Sequence, residues 1–345
     1  MKKLFLVILV SIVSSISFGE NVNIEANWVL KESNNFKKAL QNFELEALNK
    51  CQASSINSSN DWVLLKESLK ETFDLVMMQW QRLSVLSIKP ILADNFKVSV
   101  QFFPDKKSRI KKKLMEYLRT EKKVDLSFVQ GSIFYATGIS ALEMILFDEQ
   151  ESFIDLRLSH KEAFCGFVTN IPRHLYVQQE KFEGEFNSYI NSISTEDFQD
   201  DLYNSILFSL EEIKKNKMDR QVNLETSKIF NKRFESYRSS NTLNNLKNNF
   251  KAQKDLLDLV FIPRLLKIND KESANMVNVL NEGYVKIIQD LDGFESDLVS
   301  MNASSKDYLH FEKLRNNSVV LLSIIKNQVA PKLKISIQFN GADGD

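Results

Sequence analysis

Apolar residues that recur at three- and four-residue steps are the feature that most constrains the fold of this chain. The clearest stripe lies within residues 60–87 and would occupy one side of a helix. Its members are Trp62, Leu65, Leu69, Phe73, Val76, Met77, Trp80, Leu83 and Leu86. Segment 24–51 repeats the pattern more weakly. This period is typical of amphipathic helices that bury one face, so the sequence predicts long helices packed against each other.

Few helix breakers interrupt the pattern. Nine glycines and five prolines in 345 residues are too few for the many turns of an all-β sandwich. Further helices are predicted over residues 157–190, 195–218, 241–261, 271–294 and 304–328. Pro172 would kink or break the first of these. We therefore expect an all-α fold of two helical bundles, with about four helices each, packed side by side over residues 20–190 and 191–345.

Three segments depart from this helical pattern. Residues 98–103 have the composition of a strand, but no second strand is predicted nearby. Pro104 and Asp105 are typical of a helix start, and they would open a basic helix that runs to about residue 120. The tail from Pro331 alternates apolar and polar residues and is predicted to be extended.

The first nineteen residues are typical of a secretory signal peptide. Two lysines precede an apolar run of ten residues, and Ser17 and Gly19 are the small residues of a cleavage site. A membrane anchor is the alternative, but a helix of that length spans ~15 Å, about half of a bilayer core. We expect cleavage near Gly19 and a soluble protein in the periplasm of a bacterium.

Export makes the two cysteines informative. Cys51 and Cys165 could pair in an oxidising compartment, and we expect this disulfide, although two buried free thiols are the alternative. The formal net charge of zero provides no global field that would attract nucleic acid. Six positive charges lie within Lys106–Lys113, which predicts either a patch for an anionic partner or a solvated helix face.

Signals of catalysis are weak. Residues 138–142 differ from a G-x-S-x-G nucleophile motif at Leu142 and lack its strand–turn–helix context. His160, His174 and His310 are isolated, with no H-E-x-x-H motif. Glu143 is more informative because it lies in the apolar segment 139–147, where a buried carboxylate needs a polar cavity, a cation or a base. An exposed position on a half-buried helix is the alternative.

The chain ends in a group of carboxylates. Asp343, Asp345 and the terminal carboxylate lie within three residues. Such oxygen ligands suit hard cations such as Ca²⁺, Fe³⁺ or Mg²⁺ if the tail folds back. A frayed acidic end is the alternative.

Several segments, in chain order, resemble the imelysin-like family of exported bacterial proteins. Trp80 with Pro90 resembles its W…GP segment, and Phe102–Lys106 resembles its FWPDK signature. The other matching segments are residues 131–147 (GxPALExLLF), Tyr237–Leu246 (YRS…SLxNL) and Ile337–Asp345 (GFNxxDGD). Cys51 and Cys165 also resemble cysteines of that family. The resemblance implies an all-α fold of two bundles, a functional cleft where they meet, and a periplasmic or outer-membrane-attached location often tied to iron supply.

The resemblance also identifies a degenerate motif. The founding members are metallopeptidases with a G-x-H-x-x-E motif, which here comprises Gly138, Ser140 and Glu143, with serine in place of histidine. Zinc prefers nitrogen or sulfur ligands, and the substitution therefore disfavours peptidase chemistry.

We therefore expect a non-catalytic protein that binds a metal ion or a small polar ligand in the cleft. Gly138, Ser140 and Glu143 would line this cleft, with Asp105 in a secondary role. Glu143, Asp343 and Asp345 would hold a metal, which would be iron or another divalent or trivalent cation.

Two alternatives remain open. One is a metallopeptidase with a rearranged metal shell. The other is a scaffold that uses the Lys106–Lys113 face to bind an anionic glycan or a periplasmic or outer-membrane partner protein. In every case we expect a monomer. Nucleic acid is not an expected partner.

Overall fold

The computed structural model describes residues 24–53, 59–121, 123–223 and 225–338 of the chain. The predicted signal peptide, residues 1–19, lies outside these described residues, and so do Asp343 and Asp345. Most of the described residues are helical, which confirms the all-α prediction. None of the helices in the described ranges has both the length and the apolar character needed to cross a membrane.

Long helices are joined by shorter ones throughout the described chain. In its N-terminal part the helices are α1 (Ile24–Ala53), α2 (Ser59–Leu83), α3 (Lys89–Leu92), α4 (Phe96–Val100), α5 (Arg109–Thr120), α6 (Leu126–Gly131), α7 (Ile139–Phe147), α8 (Glu151–Ser159) and α9 (Lys161–Ile190). In its C-terminal part they are α10 (Thr195–Glu212), α11 (Thr242–Leu256), α12 (Ile262–Ile268), α13 (Lys271–Asp292), α14 (Lys306–Ile324) and α15 (Ala330–Leu333).

Three of the long helices widen into π-helical turns at their ends. These turns cover Ile213–Asp219 after α10, Leu257–Phe261 after α11, and Ile325–Val329 after α14. The turn after α10 leads into the antiparallel hairpin of strands β1 (Val222–Asn223) and β2 (Lys228–Ile229), in which Val222 pairs with Ile229. The hairpin lies on the path to α11 and brings loop residues towards the N-terminal helices.

The predicted stripe of α2 forms a large part of the core. Every residue of the stripe is at most 4% exposed. Helix α1 packs against both α2 and α9, and the Trp80 ring contacts Phe36 and Phe96. In the C-terminal part, α13 packs against α11, α12 and α14.

Helix α2 also joins the two parts of the chain. It packs against α11, and its residue Arg82 donates hydrogen bonds to Glu32 of α1 at 2.8 and 2.9 Å and to Asp255 of α11 at 2.6 Å. A guanidinium group with several fixed donors suits such a junction because it can satisfy two carboxylates at once.

The disulfide between Cys51 and Cys165 is confirmed. It links the end of α1 to the first turns of α9, and the two Cα atoms are 5.9 Å apart. The two helices pack along their length, so the bridge lies at one end of an interface that apolar side chains also hold.

Several local predictions were wrong. The strand-like residues 98–103 include the end of α4, because Phe96 and Val100 pack into the core as helical positions. Helix α5 begins at Arg109 rather than at Pro104. Helix α9 continues through Pro172, so the break that was one of the two outcomes predicted there does not occur. Pro331 lies in the first turn of α15, so the extended tail does not begin there.

Two glycines of α9 differ sharply in their surroundings. A Cβ atom on Gly166 would lie 2.3 Å from the carbonyl oxygen of Val124, whereas a Cβ on Gly184 would have no heavy atom within 4 Å. Gly166 therefore allows the segment before α6 to approach the helix, and Gly184 has no such role.

We expect Gly166→Ala to destabilise the fold by about 1–3 kcal/mol, because the backbone at Val124 would have to move. Gly184→Ala in the same helix should stabilise it by about 0.5–1 kcal/mol, because alanine has the higher helix propensity. Urea unfolding of both variants measures the two effects. The same sign for both substitutions would contradict this account of α9.

Candidate functional site

A cleft of about 1110 Å³ lies between the N-terminal and C-terminal parts of the chain. Residues 101–111 and α7 contribute to one wall, and residues 219–238 contribute the opposite one. Arg315 of α14 completes the C-terminal wall. The volume is slightly above the ~300–1,000 Å³ that is usual for small-molecule sites.

Glu143 lies at the floor of this cleft. It belongs to α7, whose other residues are mostly apolar and buried, and its own side chain is only 6% exposed. Its Oε1 atom accepts two hydrogen bonds from Ser239, one from the backbone N–H at 3.1 Å and one from the hydroxyl at 2.9 Å. The prediction that Glu143 is a buried carboxylate at a polar cavity is thus consistent with the structure.

The environment of Glu143 favours its neutral form. Burial raises the pKa of this carboxyl group above its ordinary value, because the charged form loses its hydration. The positive charge of Arg238 and the hydrogen bonds from Ser239 oppose this effect, and Glu235 adds to it. The balance remains a raised pKa, which is common at functional sites.

Two ion pairs that share Asp148 lie next to the floor of the cleft. Arg238 donates from Nε to Asp148 at 2.9 Å, and Lys111 lies 3.4 Å from the other oxygen of the same carboxylate. Burial would raise the pKa of Asp148. The hydrogen bonds from Arg238 and the Gln150 N–H, with the charges of Arg238 and Lys111, hold it below its ordinary value instead. Asp148 therefore fixes two cations of the cleft wall.

Ser140 and Asp105 also line the cleft, but they differ in what they can offer a ligand. Ser140 is half-buried in the first turn of α7. Asp105 accepts hydrogen bonds from the N–H groups of Arg109 at 2.8 Å and Ile110 at 3.0 Å. Both of its oxygens thus cap the first turn of α5, which is the helix-start role that the sequence predicted for Asp105 beside ligand binding.

Gly138 is not among the residues that line the cleft. A Cβ atom there would lie 2.3 Å from the carbonyl oxygen of Ser99 and 2.4 Å from that of Val100. The close backbone approach expected at this glycine therefore exists, but the approaching group is the end of α4. Gly138 allows α7 to begin directly against the end of α4, and Glu143 lies about one turn further along α7.

The described residues contain one of the three predicted metal ligands, Glu143. Among the described residues, no group of three or more histidine, cysteine or acidic side chains is arranged to hold a metal ion. Asp343 and Asp345 lie outside these residues, and the metal site stays a prediction. His160, His174 and His310 are all described, and none of them lines the cleft.

Sequence reasoning missed most of the C-terminal wall. Arg220 follows the π-helical turn, and Lys232 and Arg233 belong to a 3₁₀ turn after the hairpin. It also missed Lys217, which is buried beside the cleft and donates hydrogen bonds to Gln81, Glu235 and Asn249 at 2.8–2.9 Å. The sequence feature that could have predicted this wall is the high density of basic and aromatic residues in 228–238, a segment without helical periodicity.

These features define a helical protein with a cleft between two groups of helices that is lined by charged and aromatic residues. Comparison with known proteins identifies its family. The imelysin family model, Peptidase M75, matches residues 34–307. The chain belongs to the imelysin family, as the motif resemblance predicted.

A solved structure supports the same fold. An imelysin-like protein from Psychrobacter arcticum 273-4 superposes with a TM-score of 0.73 at 13% sequence identity, covering 91% of this chain and 94% of that one. A likeness at this identity supports the fold alone. Comparison with curated proteins gave no match.

The raised pKa of Glu143 predicts how stability depends on pH. A carboxyl group whose pKa is raised in the folded state contributes its full stabilisation when the pH is below its pKa in the unfolded chain, 4.5. This contribution is lost as the pH rises through the pKa of the folded state. Glu143→Gln removes the titration and keeps the shape of the side chain. We expect the variant to gain stability relative to the natural protein as the pH rises from 4.5 upwards.

Thermal unfolding across that pH range measures this difference. Glu180→Gln, on the exposed side of α9, is the matched control and should follow the natural protein. A constant difference between Glu143→Gln and the natural protein would contradict the raised pKa.

Proposed function

We propose that this imelysin-family protein is an exported, non-catalytic binding protein that takes a small polar ligand in the cleft. The observation that carries the proposal is the floor of the cleft, where Ser140 and Glu143 occupy the peptidase-motif positions without an imidazole. Serine and a buried carboxyl group with a raised pKa can exchange hydrogen bonds with a ligand, but they do not form the nitrogen-rich shell that zinc prefers.

The positions of the histidines support a non-catalytic role. His160 lies between α8 and α9, His174 lies within α9, and the ring of His310 packs against Phe294. A peptidase with a rearranged metal shell would need at least one of them to reach the cleft, and none lines it.

Export is part of the same proposal. The signal-like residues 1–19 favour a periplasmic location, and the disulfide is of a kind that persists in oxidising compartments. We further propose that residues 20–190 and 191–345 act as two bundles with the ligand between them, because the cleft draws its walls from both segments.

Retention of a ligand tests this function directly. The oxidised mature protein, residues 20–345, is incubated with a filtered extract of small molecules, washed, and denatured, and released compounds are identified by mass spectrometry. We expect a retained compound that is lost in Ser140→Phe, because the larger side chain would fill the floor of the cleft.

Ser192→Phe serves as the control, since Ser192 is exposed in the turn after α9 and does not line the cleft. Retention that is equal in both variants would place binding elsewhere. Processing of peptides in the extract that Ser140→Phe abolishes would replace the binding role with a peptidase.

Metal binding linked to iron supply is a second candidate. The observation that favours it is that both hydrogen bonds from Ser239 go to Oε1 of Glu143, so Oε2 is the oxygen that could serve a cation. Asp343 and Asp345 would supply further oxygens if the tail reaches the cleft, giving a site for a hard cation.

Metal content distinguishes this second candidate. The mature protein is purified without chelator, exposed to iron, zinc and calcium, and assayed by mass spectrometry. The metal proposal expects near-stoichiometric metal that is lost both in Glu143→Ala and in a chain truncated before Asp343, with Glu180→Ala as the exposed control. Metal that persists in both variants, or its absence from the natural protein, would refute the site.

A further inference from the structure

The charges that line the cleft are unequal. Among the described residues, seven cationic side chains and five carboxylates line it. The cations are Lys106, Lys111, Arg220, Lys232, Arg233, Arg238 and Arg315, and the carboxylates are Asp105, Glu143, Asp219, Glu225 and Glu235. The imbalance matters only if some cations are not already neutralised.

Three of the cations have carboxylate partners. Asp148 pairs with both Arg238 and Lys111, and Arg315 donates to Asp219 at 2.5 Å. These pairs lock the side chains in place and remove much of their attraction for a further anion. They also occupy Asp219, so that this carboxylate cannot balance another cation of the wall.

The other four cations have no carboxylate within ion-pair distance among the described residues. They are Lys106 on the N-terminal wall and Arg220, Lys232 and Arg233 on the C-terminal wall. The remaining carboxylates do little to balance them. Glu235 pairs with the buried Lys217 at 2.9 Å, and both oxygens of Asp105 accept N–H groups of α5. Glu225 is exposed, and burial shifts Glu143 towards its neutral form.

Two of these cations are arranged to recognise an anion. Arg233 donates from Nη1 to the carbonyl oxygen of Arg220 at 3.4 Å, so the two residues lie side by side. The Arg233 guanidinium also stacks over the Phe230 ring, 3.9 Å from its centroid, which limits its motion. A held guanidinium presents paired N–H donors that match a carboxylate or phosphate group.

We propose that the ligand of the cleft is a small anion that carries two or more carboxylate or phosphate groups. Lys106 on one wall and the Arg220, Lys232 and Arg233 group on the other would each contact one end of it. The unpaired positive charges would repel a bare metal cation. This inference rests on the proposed function and deepens it by assigning the charge of the ligand.

Isothermal titration calorimetry of the mature protein tests the inference with three probes. Citrate carries three carboxylates, tripolyphosphate carries phosphate groups, and erythritol is a neutral polyol that can form hydrogen bonds but carries no charge. We expect citrate, tripolyphosphate or both to bind, and erythritol not to bind. The anion that binds more tightly distinguishes a carboxylate ligand from a phosphate ligand.

A pair of triple variants locates the binding. The cleft variant is Arg220→Gln/Lys232→Gln/Arg233→Gln, and the control is Lys107→Gln/Arg109→Gln/Lys112→Gln, whose side chains are exposed and do not line the cleft. Both variants lose three positive charges. We expect the cleft variant to weaken anion binding about tenfold or more and the control to leave it nearly unchanged.

Each other outcome overturns the inference. Equal weakening in both variants would mean that the anion responds to the net charge of the protein or binds at the Lys106–Lys113 face. If the protein binds polygalacturonate and only the control variant loses this binding, that face would be assigned to an anionic glycan. If neither anion binds while the cleft retains a neutral compound from the extract, the anionic ligand is refuted but the binding function survives. If neither anion binds and no compound is retained, both proposals fail. Circular dichroism and thermal unfolding establish that both variants are folded.

Discussion

The buried ammonium group of Lys217 holds together the elements that build the cleft. It is 5% exposed, and its three N–H donors reach Gln81 of α2, Asn249 of α11 and Glu235 of the C-terminal wall. A buried charge is tolerated only when its donors are satisfied, and loss of one partner from a buried ion pair costs about 3–5 kcal/mol. The arrangement therefore fixes Glu235 relative to two long helices.

The position of Glu235 in turn sets the floor of the cleft. Asn245 of α11 donates both to Glu235 and to Ser236, and the chain then reaches Arg238 and Ser239 within three residues. These last two residues hold Asp148 and Glu143. The buried polar residues Lys217, Glu235 and Asn245 thus determine where Ser239 lies and donates its hydrogen bonds to Glu143. Lys217 itself does not line the cleft.

The helices were predictable from the sequence because their buried residues recur at every third or fourth position. The α2 stripe is buried as predicted, since every third or fourth residue faces the same neighbours. Lys217 was not predictable in this way. It belongs to a run of basic and polar residues, Lys214–Lys217, that is typical of a solvated helix end. The π-helical turn changes the spacing of the side chains, and Lys217 is therefore buried.

The site was predictable only on its helical side. The motif of residues 138–143 identified α7 and its buried Glu143, because a charged residue in an apolar segment stands out. The role of Gly138 depends on the distant backbone of Ser99 and Val100 that approaches it, which a local pattern does not encode. The C-terminal wall includes the hairpin and the 3₁₀ turn, so its arginines are brought to the cleft by tertiary packing rather than by periodicity.

The bond between Cys51 and Cys165 gives the N-terminal wall a topological protection. Residues 52–164, which include α5 and α7, form a closed covalent loop. A single proteolytic cut within that loop opens it but leaves both fragments attached to each other. The half of the protein that carries Ser140 and Glu143 can therefore be nicked once in an environment rich in proteases and still remain one covalent molecule.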